Sequence, residues 1–142
     1  MIAIYFALLY FLLASRSHHV FHSVFVNELA SRGHQIDFLS PIDDKKLHKN
    51  VRTVLFEGVQ DAIESEADLI EMASSQTAWS LLKDLREYST ATSELVSKSE
   101  GFKNFVKNAK SQKYDLIIVD HGLNDAINGI LDLYPDTPVI GL

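Results

Sequence analysis

The stretch Ser15-Arg16-Ser17-His18-His19 sets two histidines directly behind an apolar run, and a third, His22, follows one helical turn later. A second polar group, Asp120, ends the most apolar internal segment, "YDLIIVD". A histidine and a carboxylate that converge make a general base with an orienting partner. The carboxylate bonds to one ring nitrogen, fixes the tautomer and steadies the imidazolium once a proton arrives. A base of this kind contributes roughly 10²–10⁴ in rate. Two other chemistries stay open. His18 and His22 are i, i+4 and could pair on a metal, although no Glu-x-x-His or cysteine completes a ligand set. Alternatively, His18 and Asp120 are structural groups at helix starts. Ser17, His19 and His121 adjoin the His18–Asp120 pair and would line its substrate pocket. His34, behind Gly33, reads as structural, and His48 falls in a charged loop.

The elements that must bring His18 and Asp120 together are legible as an alternation of two periodicities. Ile2 to Ala14 is an unbroken apolar run, and it is expected to be either a first core strand or the remnant of a signal peptide. Ser17 then fits a helix N-cap. Phe21, Val24, Phe25 and Leu29 recur at helical spacing and predict the buried face of a helix, which Gly33 closes as a C′ residue. "QIDFLS" (35–40) and "VRTVLFE" (51–57) read as strands separated by a solvated loop, Asp43 to Lys49.

Residues 59–110 are helical in character, with breaks expected near Ser74-Ser75 and Gly101. Trp79, Leu82, Leu85 and Tyr88 form one apolar stripe, and Phe102, Phe105, Val106 and Ala109 form another; both read as core packing. "YDLIIVD" (114–120) has the continuous apolar run of a parallel strand covered on both faces. A helix through Ala126, Ile127, Ile130 and Leu131 and a last strand, "TPVIGL", complete the pattern.

Strands alternating with helices imply right-handed crossovers and an α/β, doubly wound parallel sheet. In such sheets ligands collect beyond the carboxyl ends of the strands, where the strand order reverses. With the order 3-2-1-4-5, the strands preceding His18 and Asp120 are neighbours astride that point.

Composition narrows the partners. The 142 residues carry a formal charge of −6, with 46% hydrophobic and 23% charged residues, as in an ordinary globular domain. Cationic residues are scattered, which argues against nucleic acid. No cysteine is present, so disulfides and thiolate chemistry are excluded. No Gly-x-Gly-x-x-Gly loop follows the first strand, so no dinucleotide cofactor is expected; the incomplete His18/His22 pair makes a metal the less favoured chemistry, and none is expected.

Taken together, "SRSHHVFHSVFVNELASRGHQIDFLSP" (15–41), with an apolar strand before it and "YDLIIVD" later, resembles the N-terminal half of animal UDP-glycosyltransferases, closest to the insect glucosyl- and glucuronosyltransferases. The shared pattern is a strand, Ser-Arg-Ser-His-His, a helix, Leu-Ala-x-Arg-Gly-His, a β-branched strand and Ser-Pro. The proline-containing segment that precedes Ser-Arg-Ser in the family is replaced here by Leu12-Leu13-Ala14.

The resemblance implies a GT-B enzyme of two Rossmann-like domains, with residues 1–142 forming the domain that receives a small lipophilic acceptor. His18 would be the base and Asp120 its partner in an inverting, metal-free transfer, with UDP-sugar as co-substrate and no cofactor. The UDP-sugar-binding domain and the membrane helix of the family are absent from this sequence, so the chain is expected to be inactive alone. The full-length family belongs to the endoplasmic reticulum membrane. The alternative is a truncated, non-catalytic lipophile-binding protein, or one that pairs with itself or with full-length relatives and regulates them.

Overall fold

In the computed structural model, residues 5–9, 16–66, 77–120 and 128–142 are described. They form β1 (Tyr5–Leu9), α1 (Arg16–Ser31), β2 (Gln35–Ser40), β3 (Val51–Leu55), α2 (Val59–Glu66), α3 (Ala78–Lys98), α4 (Glu100–Asn108), β4 (Leu116–Val119), α5 (Asn128–Leu131) and β5 (Val139–Gly141), with a 3₁₀ turn at Ala109–Ser111. The architecture is mixed α/β. All the strand pairs are parallel, in the order β3-β2-β1-β4-β5. β1 runs beside both β2 (Leu9 opposite Leu39) and β4 (Leu9 opposite Val119), so the chain winds outward from β1 in both directions.

Alternation along β2 divides the core. Ile36 and Phe38 meet Val26 and Ala30 of α1, together with Ile118, on one face. Leu39, Ile117 and Val119 meet Val96, Phe105 and Ile130 from α3, α4 and α5 on the other. Phe38, Leu39, Ile117 and Val119 are fully buried, each burial stabilising by about 1.5–3 kcal/mol relative to exposure. β4 is thus covered on both faces, as its unbroken apolar run predicts.

α1 ends as its sequence predicts. The Gly33 N–H donates to Ala30 O (3.0 Å) and the His34 N–H to Leu29 O (3.4 Å), a Schellman closure that requires the left-handed φ of 96° at Gly33. The rest of the α1 expectation needs correcting. The helix already includes Arg16, so Ser17 lies within the first turn rather than at the N-cap. Of the expected apolar face, Phe21 and Val24 are about two-thirds exposed, while Phe25 and Leu29 are partly buried. The stripe that meets the sheet is His19, His22, Ser23, Val26 and Ala30. That spacing fits a helix face equally well, and its polar members are buried because distant residues hold them.

Two expectations for residues 59–110 also change. The break near Gly101 falls at Ser99, whose N–H closes α3 on Val96 O and whose Oγ accepts from Phe102 N to start α4. Trp79 and Leu82 are exposed rather than core, and α3 is anchored instead by Thr92 and Val96. Phe102, Phe105 and Ala109 pack in the core as expected, whereas Val106 faces outward. The Ser74-Ser75 break and the residues Ala126 and Ile127 lie outside the described residues.

At the amino ends of β2 and β3, Asp37 joins three segments. Arg52 grips its carboxylate through Nε (2.7 Å to Oδ1) and Nη2, and the Tyr114 hydroxyl donates to Oδ2 at 2.6 Å. Burial and the adjacent Asp37 charge push the Tyr114 phenol well above its ordinary range, so it remains a donor. The hydrogen bond goes to a charged group only 13% exposed, so Tyr114→Phe is expected to lower stability by about 1.5–3 kcal/mol. Urea unfolding of the two proteins would measure it, and an unchanged midpoint would show that this bond contributes nothing.

Candidate active site

β1 and β4 are adjacent and parallel, so their carboxyl ends lie side by side. α1 begins after the first and Asp120 follows the second directly. Beyond them lies a cavity of about 510 Å³ lined by His18, Phe21, His22, Asp120 and Leu142. Leu142 is brought there by its N–H, which donates to Val119 O at 2.8 Å. His18 and Asp120, paired on the sequence alone, therefore face one cavity. Among the described residues its lining is mostly apolar, and the imidazoles and the carboxylate are the polar groups.

Asp120 also makes a contact that the motif reading does not contain. His22 Nε2 lies 3.0 Å from Asp120 Oδ2. The His22 side chain is 2% exposed and that of Asp120 23%, so the histidine sits behind the carboxylate as seen from solvent. An ionised carboxylate only accepts, which puts the ring proton on Nε2. The ring packs edge-to-face with Phe21, centroids 5.2 Å apart. Burial lowers the His22 pKa; the hydrogen bond and charge of Asp120 act in the opposite sense and do not overcome it. His22 is therefore a neutral donor. The sequence contains the signal for it, since His22 is i+4 from His18 on one helix face, but nothing local says that the partner is Asp120 rather than a metal.

This burial has a consequence for stability. The unfolded chain takes up the His22 proton near the ordinary value of 6.5, and the folded chain only at lower pH. The associated stability is full above pH 6.5 and is lost as pH falls below it, until the folded ring itself protonates. The slope from one proton is at most about 1.4 kcal/mol per pH unit. His22→Gln is expected to flatten this part of the pH dependence of the urea midpoint, and an unaltered profile would contradict a buried neutral ring.

His19 does not line the cavity with His18. Adjacent helical residues point about 100° apart, and His19 turns toward the loop after β2. Its Nε2 is 3.2 Å from Asp44 Oδ2 and its Nδ1 3.3 Å from Ser40 Oγ. Ser40 Oγ also accepts from the Ile42 N–H at 3.1 Å. The Asp44 carboxyl is held below its ordinary range, chiefly by the Lys46 N–H and then by His19. A serine, a histidine and an aspartate in line suggest a nucleophile, but Ser40 is fully buried and can meet no substrate. The string instead pins the loop after β2 to the first turn of α1. His19 borders a smaller cavity of about 230 Å³ with Arg16, Val20, Ile42 and Gln60.

Of the remaining expected site residues, Ser17 sits in the first turn of α1 beside His18, and His121 lies outside the described residues. His48 is structural: its N–H donates to Asn27 Oδ1 (2.7 Å) and its Nδ1 accepts from Asn50 N (3.2 Å). Among the described residues, no group of three His, Asp or Glu side chains is placed to hold a metal ion, and no helix is long and apolar enough to cross a membrane.

Comparison of the chain with protein-family models, with curated proteins and with solved structures returns no match.

Proposed function

We propose that the chain is a Rossmann-like, acceptor-binding half of an inverting UDP-glycosyltransferase, with His18 as general base and Asp120 as its partner. The observation that carries this reading is the single cavity shared by His18 and Asp120 beyond the carboxyl ends of β1 and β4. This is the position where open parallel sheets bind ligands. Its apolar lining, with Phe21 and Leu142, suits a lipophilic acceptor whose one polar group is the reacting hydroxyl.

In this mechanism His18 takes the hydroxyl proton as the acceptor oxygen attacks the anomeric carbon of the UDP-sugar. The new C–O bond forms on the face opposite the departing UDP, whose bond to that carbon breaks with the electron pair going to the diphosphate. The configuration therefore inverts. The imidazolium at His18 is steadied by the Asp120 carboxylate until the proton passes to solvent. The sugar nucleotide would be held by a separate donor-binding half, and in that form the enzyme would belong to the endoplasmic reticulum membrane.

A second reading draws on the exposed apolar residues Val20, Phe21 and Val24 of α1, of which Phe21 lines the cavity. They would suit a protein that holds a lipophile without transforming it, alone or paired with a full-length relative. One experiment separates the two: sugar transfer to a small phenol by the chain joined covalently to the donor-binding half of a UDP-glycosyltransferase. Inverted glycoside supports the enzyme. Acceptor binding without product supports the binding protein.

A further inference from the structure

The hydrogen bond between His22 and Asp120 is the most buried titratable contact at the cavity, and the mechanism above makes no use of His22. We propose that His22 is a positioning residue: its Nε2–H holds Oδ2 of Asp120 at the cavity wall, so that the carboxylate presents Oδ1 to His18. The consequence for catalysis rests on the glycosyltransferase reading; the geometry does not.

Three observations carry the proposal. First, Asp120 directly follows the last residue of β4, which sets its carboxylate beside α1. There its Oδ2 takes a hydrogen bond of 3.0 Å from a ring that is 2% exposed. Second, His22 stands one helical turn beyond His18 in α1, so base and positioning residue are held by the same rigid element and line one cavity with Asp120. Third, His22 is neutral, because burial lowers its pKa against the pull of Asp120. A protonated donor would cancel the carboxylate charge that must stabilise an imidazolium at His18, whereas a neutral donor orients the carboxylate and leaves the charge intact.

The test uses imidazole ¹⁵N–¹H correlation spectra of the 142-residue chain, read at the His18 ring. A merely structural His22 would leave that ring unmoved. Asp120→Asn is expected to shift the ring signals of both His18 and His22. His22→Leu is expected to shift His18, and His22→Gln, whose amide nitrogen can replace Nε2 as donor, to return it toward wild type. If His22→Leu does not fold, Asp120→Asn and His22→Gln decide the matter alone. His18 signals unchanged in Asp120→Asn would overturn the proposal, as would His22→Gln moving His18 as far as Asp120→Asn does. Failure of sugar transfer in the joined protein, with these ring couplings present, would instead count against the glycosyltransferase reading.

Discussion

Replacing His18 with alanine, in the chain joined to a donor-binding half, is expected to lower kcat by roughly 10²–10⁴ while the acceptor Kd stays nearly unchanged. The asymmetry follows from the site. Most of the acceptor's binding surface would come from apolar residues such as Phe21 and Leu142, which the substitution leaves in place. What disappears is the group that receives the hydroxyl proton as the new bond forms, a contribution made only in the transition state. Alanine is also the best helix former, so the first turn of α1 should persist. Steady-state kinetics together with calorimetric acceptor binding would measure both quantities. Parallel losses in kcat and affinity would make His18 a binding or folding residue and remove the base from the mechanism.

The second large effect concerns stability. Gly101→Ala is expected to destabilise the fold by about 3 kcal/mol, the upper end of what overpacking costs. A Cβ at Gly101 would stand 1.8 Å from Leu55 O and 2.9 Å from Leu55 C, both backbone atoms of β3. No side-chain rotation relieves that contact, so α4 must move off the sheet and take Phe102 and Phe105 with it. The Gly101 N–H also donates to Glu57 Oε2 at 3.0 Å, and that bond would be strained by the same shift. Gly129→Ala is the matched control. It meets nothing within 4 Å, and its expected effect is a gain of about 0.5–1 kcal/mol. Equal urea midpoints for the two variants would mean that α4 does not approach β3 as described.

Much of the frame is readable from residue types because it rests on local signals. Alternation marks β2 and an apolar run bounded by polar residues marks β4, and Gly33 closes α1 where a left-handed residue is needed. The side of α1 that faces the sheet is not local information. Phe21, Val24, Phe25 and Leu29 form one helical stripe and His19, His22, Val26 and Ala30 another. Hydrophobicity favours the first, yet the second is buried, because Asp44, Ser40 and Asp120 supply hydrogen bonds from segments far along the chain.

The site was legible to the same extent. His18 and Asp120 can be paired by reasoning from strand ends, which fixes where side chains emerge. The bond between His22 and Asp120 depends on rotamers and burial that spacing does not encode. Gly101 shows the same limit from the other side: a glycine suggests a break, whereas here it permits a helix to touch a strand.

On the proposed reading, the cavity beyond β1 and β4 receives a lipophilic hydroxyl compound at His18. This is tested most directly by titrating 1-naphthol into the isotopically labelled chain and mapping the affected resonances and intermolecular NOEs. The expected result is contact with the rings of His18 and Phe21 and with Leu142, with the naphthol hydroxyl end nearest His18. Contacts confined to the opposite end of the sheet, around Lys49, Arg52 and Tyr114, or no contact up to the solubility of the phenol, would contradict it.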